Sequence, residues 1–260
     1  LLFISLGCDK NLVDSEEMLG MLAADGHQIV DDEDEAEVII VNTCCFIGDA
    51  KEESVNTILE MAEKKKAGTC KVLIVTGCMA QRYKKEISEE IPEVDAILGT
   101  TSYGDIIKAV KEAEAGRHFE EYKSIDFLPN ISGKRMLTTG GHFAYLKIAE
   151  GCDKHCTYCI IPKLRGSYRS VPMEQLVKEA QSLAEQGVKE LILVAQETTL
   201  YGKDLYGKKS LHVLLKELCK IKGIRWIRIL YCYPEEIYDE LIQTMKEEKK
   251  ICHYLDLPIQ

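Results

Sequence analysis

The chain has 260 residues, 46% of them hydrophobic, with 33 basic against 43 acidic side chains and a formal net charge of −10. That length accommodates two ordinary domains, each with a core of its own. The acidic balance argues against nonspecific binding to nucleic-acid phosphates and suits a basic partner, while no apolar run approaches the ~20 residues needed to span a bilayer.

In chain order, LLFISLG is a short apolar run, and NLVDSEEMLGMLAADG follows it with helical spacing: Leu12, Met18, Leu19 and Leu22 share a face and Gly26 suits the stop. VIIVNTC is β-branched and continuous, as in a strand buried on both faces. A helix is expected over 49–66, a second buried strand in KVLIVTGC, a helix over 81–91, a strand in DAILG and a helix near 105–115. This alternation predicts an open α/β domain with a parallel sheet. The stretch GRHFEEYKSIDFLPNISGKRMLTTGGHF has glycines, one proline and no clear period. The second half resumes with strands in FAYLKIAEG, ELILVAQ, WIRILYCYP and HYLDLPIQ, separated by helices over 172–186, 210–220 and 235–247, which makes half a β/α barrel or slightly more. We therefore expect an N-terminal domain over 1–116, a linker over 117–142 and a partial barrel over 143–260. Leu1 already lies inside a strand pattern and nothing follows HYLDLPIQ to close a fold, so the natural protein is expected to run further at its C-terminus.

Eleven cysteines, an odd count, in a long chain do not read as a disulfide framework, and no signal peptide is expected. They fit a reducing compartment, where cysteines serve as ligands, catalysts or small buried hydrophobes, and a cytoplasmic location is expected. Two groups stand out. Cys152, Cys156 and Cys159 have the spacing C-x3-C-x2-C in GCDKHCTYCIIP, just after the first barrel strand. Zinc sites usually close four ligands; here no second C-x2-C follows, and His155, between ligands, is poorly placed as a fourth. Three thiolates suit an iron–sulfur cluster and leave one iron open, at the face where barrel active sites lie. Cys8, Cys44 and Cys78 are far apart in sequence, but each ends a predicted parallel strand, and open α/β sheets gather ligand-binding groups at that edge. From pattern alone, three buried thiols at strand ends remain the alternative. Cys70, Cys219, Cys232 and Cys252 have no partner spacing and read as small hydrophobes.

GCDKHCTYCIIP, after a strand that opens a barrel, resembles the radical S-adenosylmethionine (SAM) superfamily. SLGCDKN with VDSEE, then VNTC and TGCMAQR, resemble the N-terminal domain of the methylthiotransferases; PKLRGSYRS, QETTLYG, YCYP and YLDLPIQ extend the resemblance over nearly the whole chain, toward the branch that modifies a protein rather than tRNA. The resemblance implies two 4Fe-4S clusters and SAM as cofactors, an electron donor, a small-subunit ribosomal protein as substrate, and transfer of a methylthio group to the β-carbon of an aspartate. It implies Cys8, Cys44 and Cys78 as ligands of one cluster and Cys152, Cys156 and Cys159 as ligands of the other. Cys45 stands where the family often has glycine; adjacent residues of an extended strand point to opposite faces, and Cys44 is the one that matches the motif. The resemblance also implies a small C-terminal β-barrel domain, expected beyond HYLDLPIQ.

Around SAM, the resemblance implies a polar contact from Gln196 or Glu197 to the methionine ammonium; for Gln196 a capping or loop role is the alternative. Arg165 and Arg169 are candidates for the SAM carboxylate or an acidic substrate side chain, against a reading as plain surface arginines. Tyr158, between two ligands, is a candidate to shield the cluster or pack on adenine, or simply packs beneath the loop. The rival functions are a tRNA adenosine methylthiotransferase and a non-catalytic iron–sulfur electron carrier.

Overall fold

The computed structural model describes residues 1–129 and 134–258. Its chain divides into two compact units: Leu1–Met136 with Cys156–Arg165, and Leu137–His155 with the residues from Gly166 onward.

The first unit is built from β1 (Leu2–Ser5), α1 (Asp9–Ala24), β2 (Val38–Thr43), α2 (Gly48–Lys66), β3 (Val72–Gly77), α3 (Cys78–Arg82), α4 (Lys84–Glu90), β4 (Ala96–Leu98), α5 (Ile106–Glu114), β5 (Phe119–Glu121) and α6 (Ile161–Arg165). The five strands pair in the order β1-β2-β3-β4-β5, all parallel. The unbroken apolar runs of β2 and β3 are explained by burial on both faces. Ile39, Val41, Leu73 and Val75 pack with Ile58 and Met61 of α2 on one side; Ile40 and Ile74 pack with Met18 and Leu22 of α1 and Val110 of α5 on the other. The helix expected over 81–91 is two helices, because Tyr83 leaves helical geometry (φ −119°, ψ 35°).

β5 falls inside the stretch read from sequence as aperiodic. It has three residues, Phe-Glu-Glu, and takes its place by pairing with β4 at the sheet edge rather than by its own hydrophobicity. Residues 130–133 of the expected linker, and Ile259 and Gln260 of the HYLDLPIQ motif, lie outside the described residues.

The second unit holds β6 (Phe143–Lys147), β7 (Ala149–Glu150), β8 (Arg169–Ser170), α7 (Met173–Glu185), β9 (Glu190–Val194), α8 (Lys203–Tyr206), α9 (Leu211–Cys219), β10 (Trp226–Ile229), α10 (Asp239–Glu247) and β11 (Ile251–Leu255). Its sheet runs β6-β9-β10-β11, all parallel, with one helix of the α7, α9, α10 series between successive strands. Ala144, Leu146, Leu191, Leu193, Ile227 and Ile229 alternate toward those helices and meet Leu176, Leu183, Leu214, Leu218 and Leu241. β7 and β8 form a separate antiparallel pair beyond the end of β6. The mixed α/β architecture with two parallel sheets agrees with the expected fold class. Among the described residues no helix is long and apolar enough to cross a membrane.

Candidate metal centres

In the first unit the C-terminal ends of β1, β2 and β3 each deliver a cysteine. Cys8 is the N-cap of α1, Cys44 follows β2 directly, and Cys78 opens α3. Two glycines let these segments close. Gly7, at φ +90°, leaves the space where a Cβ would lie 2.5 Å from the Cβ of Cys44; Gly77, at φ +94°, leaves the space where one would strike the Thr43 carbonyl at 2.5 Å.

A buried polar net binds the strand ends together. Asn11, wholly buried, donates from Nδ2 to the carbonyl oxygens of Leu6 (3.0 Å) and Thr43 (2.9 Å). Asn42 donates to the Asn11 carbonyl (3.0 Å) and to Ser15 Oγ (2.9 Å). Ser54 Oγ accepts from the Cys44 amide at 3.0 Å and donates back to the Cys44 carbonyl at 2.8 Å. Buried polar groups are tolerated when each finds a partner, and these fix the loops that carry the thiols.

The three thiols share one electrostatic neighbourhood. Burial pushes Cys78 up to about 12, opposed by Arg165 and reinforced by the neighbouring Cys8 and Cys44. Burial also raises Cys44, with Cys8 adding to the rise and Arg165 opposing it. Such a site disfavours bare thiolates, and coordination of a cationic centre would displace their protons to solvent. Cys45 points elsewhere: it packs with Ile39, Val41 and Met79, and Arg82 lies at its carbonyl oxygen (3.5 Å). Among the described residues no three His, Cys, Asp or Glu side chains close on a point as a single ion requires. A lone tetrahedral ion with bonds of about 2.3 Å draws its thiolates together, whereas a four-iron cube takes one thiolate per corner and does not ask for convergence on one point. An all-thiolate donor set is the one that iron–sulfur clusters take.

In the second unit Gly151 (φ +81°) brings the chain within 2.1 Å, measured from an ideal Cβ, of the Ser167 carbonyl, so only glycine fits there. Cys152 follows, buried, its amide donating to the Gly166 carbonyl at 3.1 Å. His155 then takes a left-handed conformation, φ +50°. Lys154 projects from this loop to Glu236 (2.7 Å), Glu235 (3.1 Å) and Glu197 (3.7 Å), and stacks over Tyr233. Cys156 and Cys159 fall in the segment that groups with the first unit, where the Cys159 amide donates to the Cys156 carbonyl at 2.9 Å. Tyr158 between them is 67% exposed.

The polar candidates separate by surroundings. Gln196, just past β9, donates from Nε2 to Glu150 Oε1 at 2.5 Å, while its own Oε1 is buried with no hydrogen-bond partner among the described residues. Glu150 is buried and also paired with Lys147 at 3.1 Å. Glu197 is wholly buried, accepts from Thr199, faces Lys154, and is pushed up in pKa by burial. Arg169 pairs with Glu150 in the β7–β8 ladder and donates to the Ser167 carbonyl. Arg165 belongs to the first unit, where it meets Asp14 and Asn11. Asn11, Asn42, Ser54, Asp14, Glu150 and Lys154 did not emerge from the sequence as site residues. The available signal was two polar residues, Asn42 and Thr43, ending an otherwise apolar strand.

Comparison with known proteins places names beside this geometry. Residues 1–99 match the family model described as Uncharacterized protein family UPF0004, and residues 146–260 match the Radical SAM superfamily. A protein of Lachnoclostridium phytofermentans named ribosomal protein uS12 methylthiotransferase RimO is 67% identical over 99% of this chain and 59% of its own length. Proteins of the same name from Clostridioides difficile and Clostridium botulinum are 56% and 57% identical, each covering at least 98% of this chain and 58% of their own length. The chain thus spans less than three fifths of the curated relatives it matches. Among solved structures, the radical SAM methyltransferase TsrM from Kitasatospora setae, with cobalamin and a 4Fe-4S cluster bound, aligns with a TM-score of 0.62 at 12% identity, over 98% of this chain and 59% of that one. The cobalamin-dependent SAM radical enzyme OxsB aligns with a TM-score of 0.57 at 15% identity, over 94% of this chain and 41% of that one. At such identities the likeness is one of fold.

Proposed function

We propose, from the premise that this chain belongs to the methylthiotransferase family of the radical SAM superfamily, that it adds a methylthio group to the β-carbon of an aspartate in ribosomal protein uS12. The reaction takes place in the cytoplasm and draws on SAM, two 4Fe-4S clusters and an external electron donor. Cys8, Cys44 and Cys78 hold one cluster; Cys152, Cys156 and Cys159, within one eight-residue loop, hold the other. When bound, the barrel cluster and SAM supply a radical able to take hydrogen from an unactivated carbon, and the N-terminal cluster supplies an open iron for sulfur.

The chain's own residues bind, orient and shield. The Oε1 of Gln196, buried and without a hydrogen-bond partner among the described residues, is an acceptor suited to the methionine ammonium, and Glu150 sets the amide that way round by taking its Nε2 hydrogen. Glu197 serves the same end of β9 by holding Lys154 and with it the loop after Cys152. Arg169 is the arginine suited to the SAM carboxylate or an acidic substrate side chain. Tyr158 offers an exposed ring to shield the cluster or cover adenine.

The observation that carries this reading is the convergence of Cys8, Cys44 and Cys78 at one edge of a parallel sheet, in a chain that also has the C-x3-C-x2-C loop. Its test is anaerobic incubation of the reconstituted protein with SAM, a chemical reductant and isolated uS12, with peptide mass analysis. One methylthio group on an aspartate is the expected result. SAM cleavage with uS12 left unmodified, together with methylthiolation of a tRNA offered in a parallel incubation, would overturn the assignment.

A further inference from the structure

Arg165 reads in sequence as a residue for SAM, yet it sits among the N-terminal thiols. It ends α6 and is 2% exposed. Its Nη1 lies 2.9 Å from Asp14 Oδ2, and its Nη2 donates to Asn11 Oδ1. That same oxygen is 4.0 Å from Cys78 Sγ, and Arg165 itself is within hydrogen-bonding reach of the Cys78 thiol. Its charge also reaches Cys44. Asn11 thus touches the Leu6 and Thr43 carbonyls, the arginine and the surroundings of Cys78 at once.

A buried arginine–carboxylate pair is weak grounds for stability, since a well-packed apolar pair of similar volume serves as well or better. Its location beside sulfur is what singles this pair out. A cluster held by three thiolates is anionic and gains a further negative charge on reduction. A fixed guanidinium beside it favours the reduced form, and hydrogen bonds to ligating sulfurs act in the same direction. The nearby Asp14 carboxylate partly cancels that field.

Resting on the reading that Cys8, Cys44 and Cys78 hold a cluster, we propose that Arg165 is a positioning residue of that cluster: it donates to the Cys78 sulfur and raises the cluster's reduction potential, and Asp14 fixes its orientation and moderates its charge. Arg165 is then no part of the SAM site.

The test uses the Cys152→Ala/Cys156→Ala/Cys159→Ala protein, so that only the N-terminal cluster is counted. After anaerobic reconstitution, iron and sulfide are assayed and the midpoint potential is read by a titration followed by electron paramagnetic resonance. Arg165→Met should shift the midpoint to more negative values, Arg165→Lys should stay near the parent, and Asp14→Asn should shift it to more positive values. Opposite signs from two partners of one ion pair are not what a merely structural role gives. If Arg165→Met does not fold, the Asp14→Asn shift decides alone. Midpoints unchanged in variants that load iron fully would overturn this inference and leave the cluster reading standing. A parent that binds no iron would overturn both.

Discussion

Lys154, two residues past Cys152, makes a 2.7 Å ion pair with Glu236, which lies beyond the end of β10. The same ammonium faces Glu235 and the buried Glu197, and Lys209 meets Glu236 from the other side at 2.8 Å. The loop that starts the C-x3-C-x2-C motif is therefore tied to the strand ends of the second unit by charge.

That tie makes the second unit acid-sensitive in a defined way. Hydrogen bonds from Lys154 and Lys209 hold Glu236 down at about 2, against an ordinary value of 4.5. Its ionised form therefore stabilises the fold fully above 4.5, and the contribution is lost as the pH falls toward about 2. Urea unfolding of the wild type and Glu236→Gln should show the wild type more stable above that window, with the gap closing through it. A gap that stays constant across the window would show that the ion pair adds nothing.

Asn11 holds the ends of β1 and β2 together from one side chain. Asn11→Ala strips two carbonyls and a guanidinium of a buried partner, and should cost about 2–4 kcal/mol of unfolding free energy. Iron bound by the Cys152→Ala/Cys156→Ala/Cys159→Ala protein should fall along with it, because the loops of Cys8 and Cys44 lose their common anchor. Chemical denaturation and an iron assay on the same preparation check both effects.

The runs of β2 and β3 and the spacing of the cysteines are legible in the sequence because each is a local signal. Val38–Thr43 and Val72–Gly77 are long apolar runs because helices cover both faces, and each ends in a cysteine or directly before one. β5 was not legible, since Phe119–Glu121 has neither length nor alternation and depends on β4 for its pairing. The polar net was not legible either, because Asn11 bonds to a carbonyl 32 residues away and Arg165 pairs with Asp14 across 151 residues. No spacing rule joins such positions. The break at Tyr83 and the left-handed turn at His155 carry no spacing signal of their own.

Cys44 and Cys45 offer a test of which face holds metal. Cys45 packs in the core with Arg82 at its carbonyl, whereas Cys44 shares its neighbourhood with Cys8. Cys45→Ala should cost about 1 kcal/mol of stability through lost packing and leave iron binding intact. Cys44→Ala should retain the fold and lose the iron of the N-terminal site. Iron counts that follow the reverse pattern would assign Cys45 as the ligand.

The central claim, two independent three-cysteine clusters of which only one cleaves SAM, comes down to one set of iron counts paired with 5′-deoxyadenosine yields. The wild type should bind about eight irons per chain, and the Cys8→Ala/Cys44→Ala/Cys78→Ala and Cys152→Ala/Cys156→Ala/Cys159→Ala proteins about four each. Only the second triple variant should lose 5′-deoxyadenosine formation. A wild type that holds about four irons, with one triple variant indistinguishable from it, or SAM cleavage that survives the loss of Cys152, Cys156 and Cys159, would contradict the account.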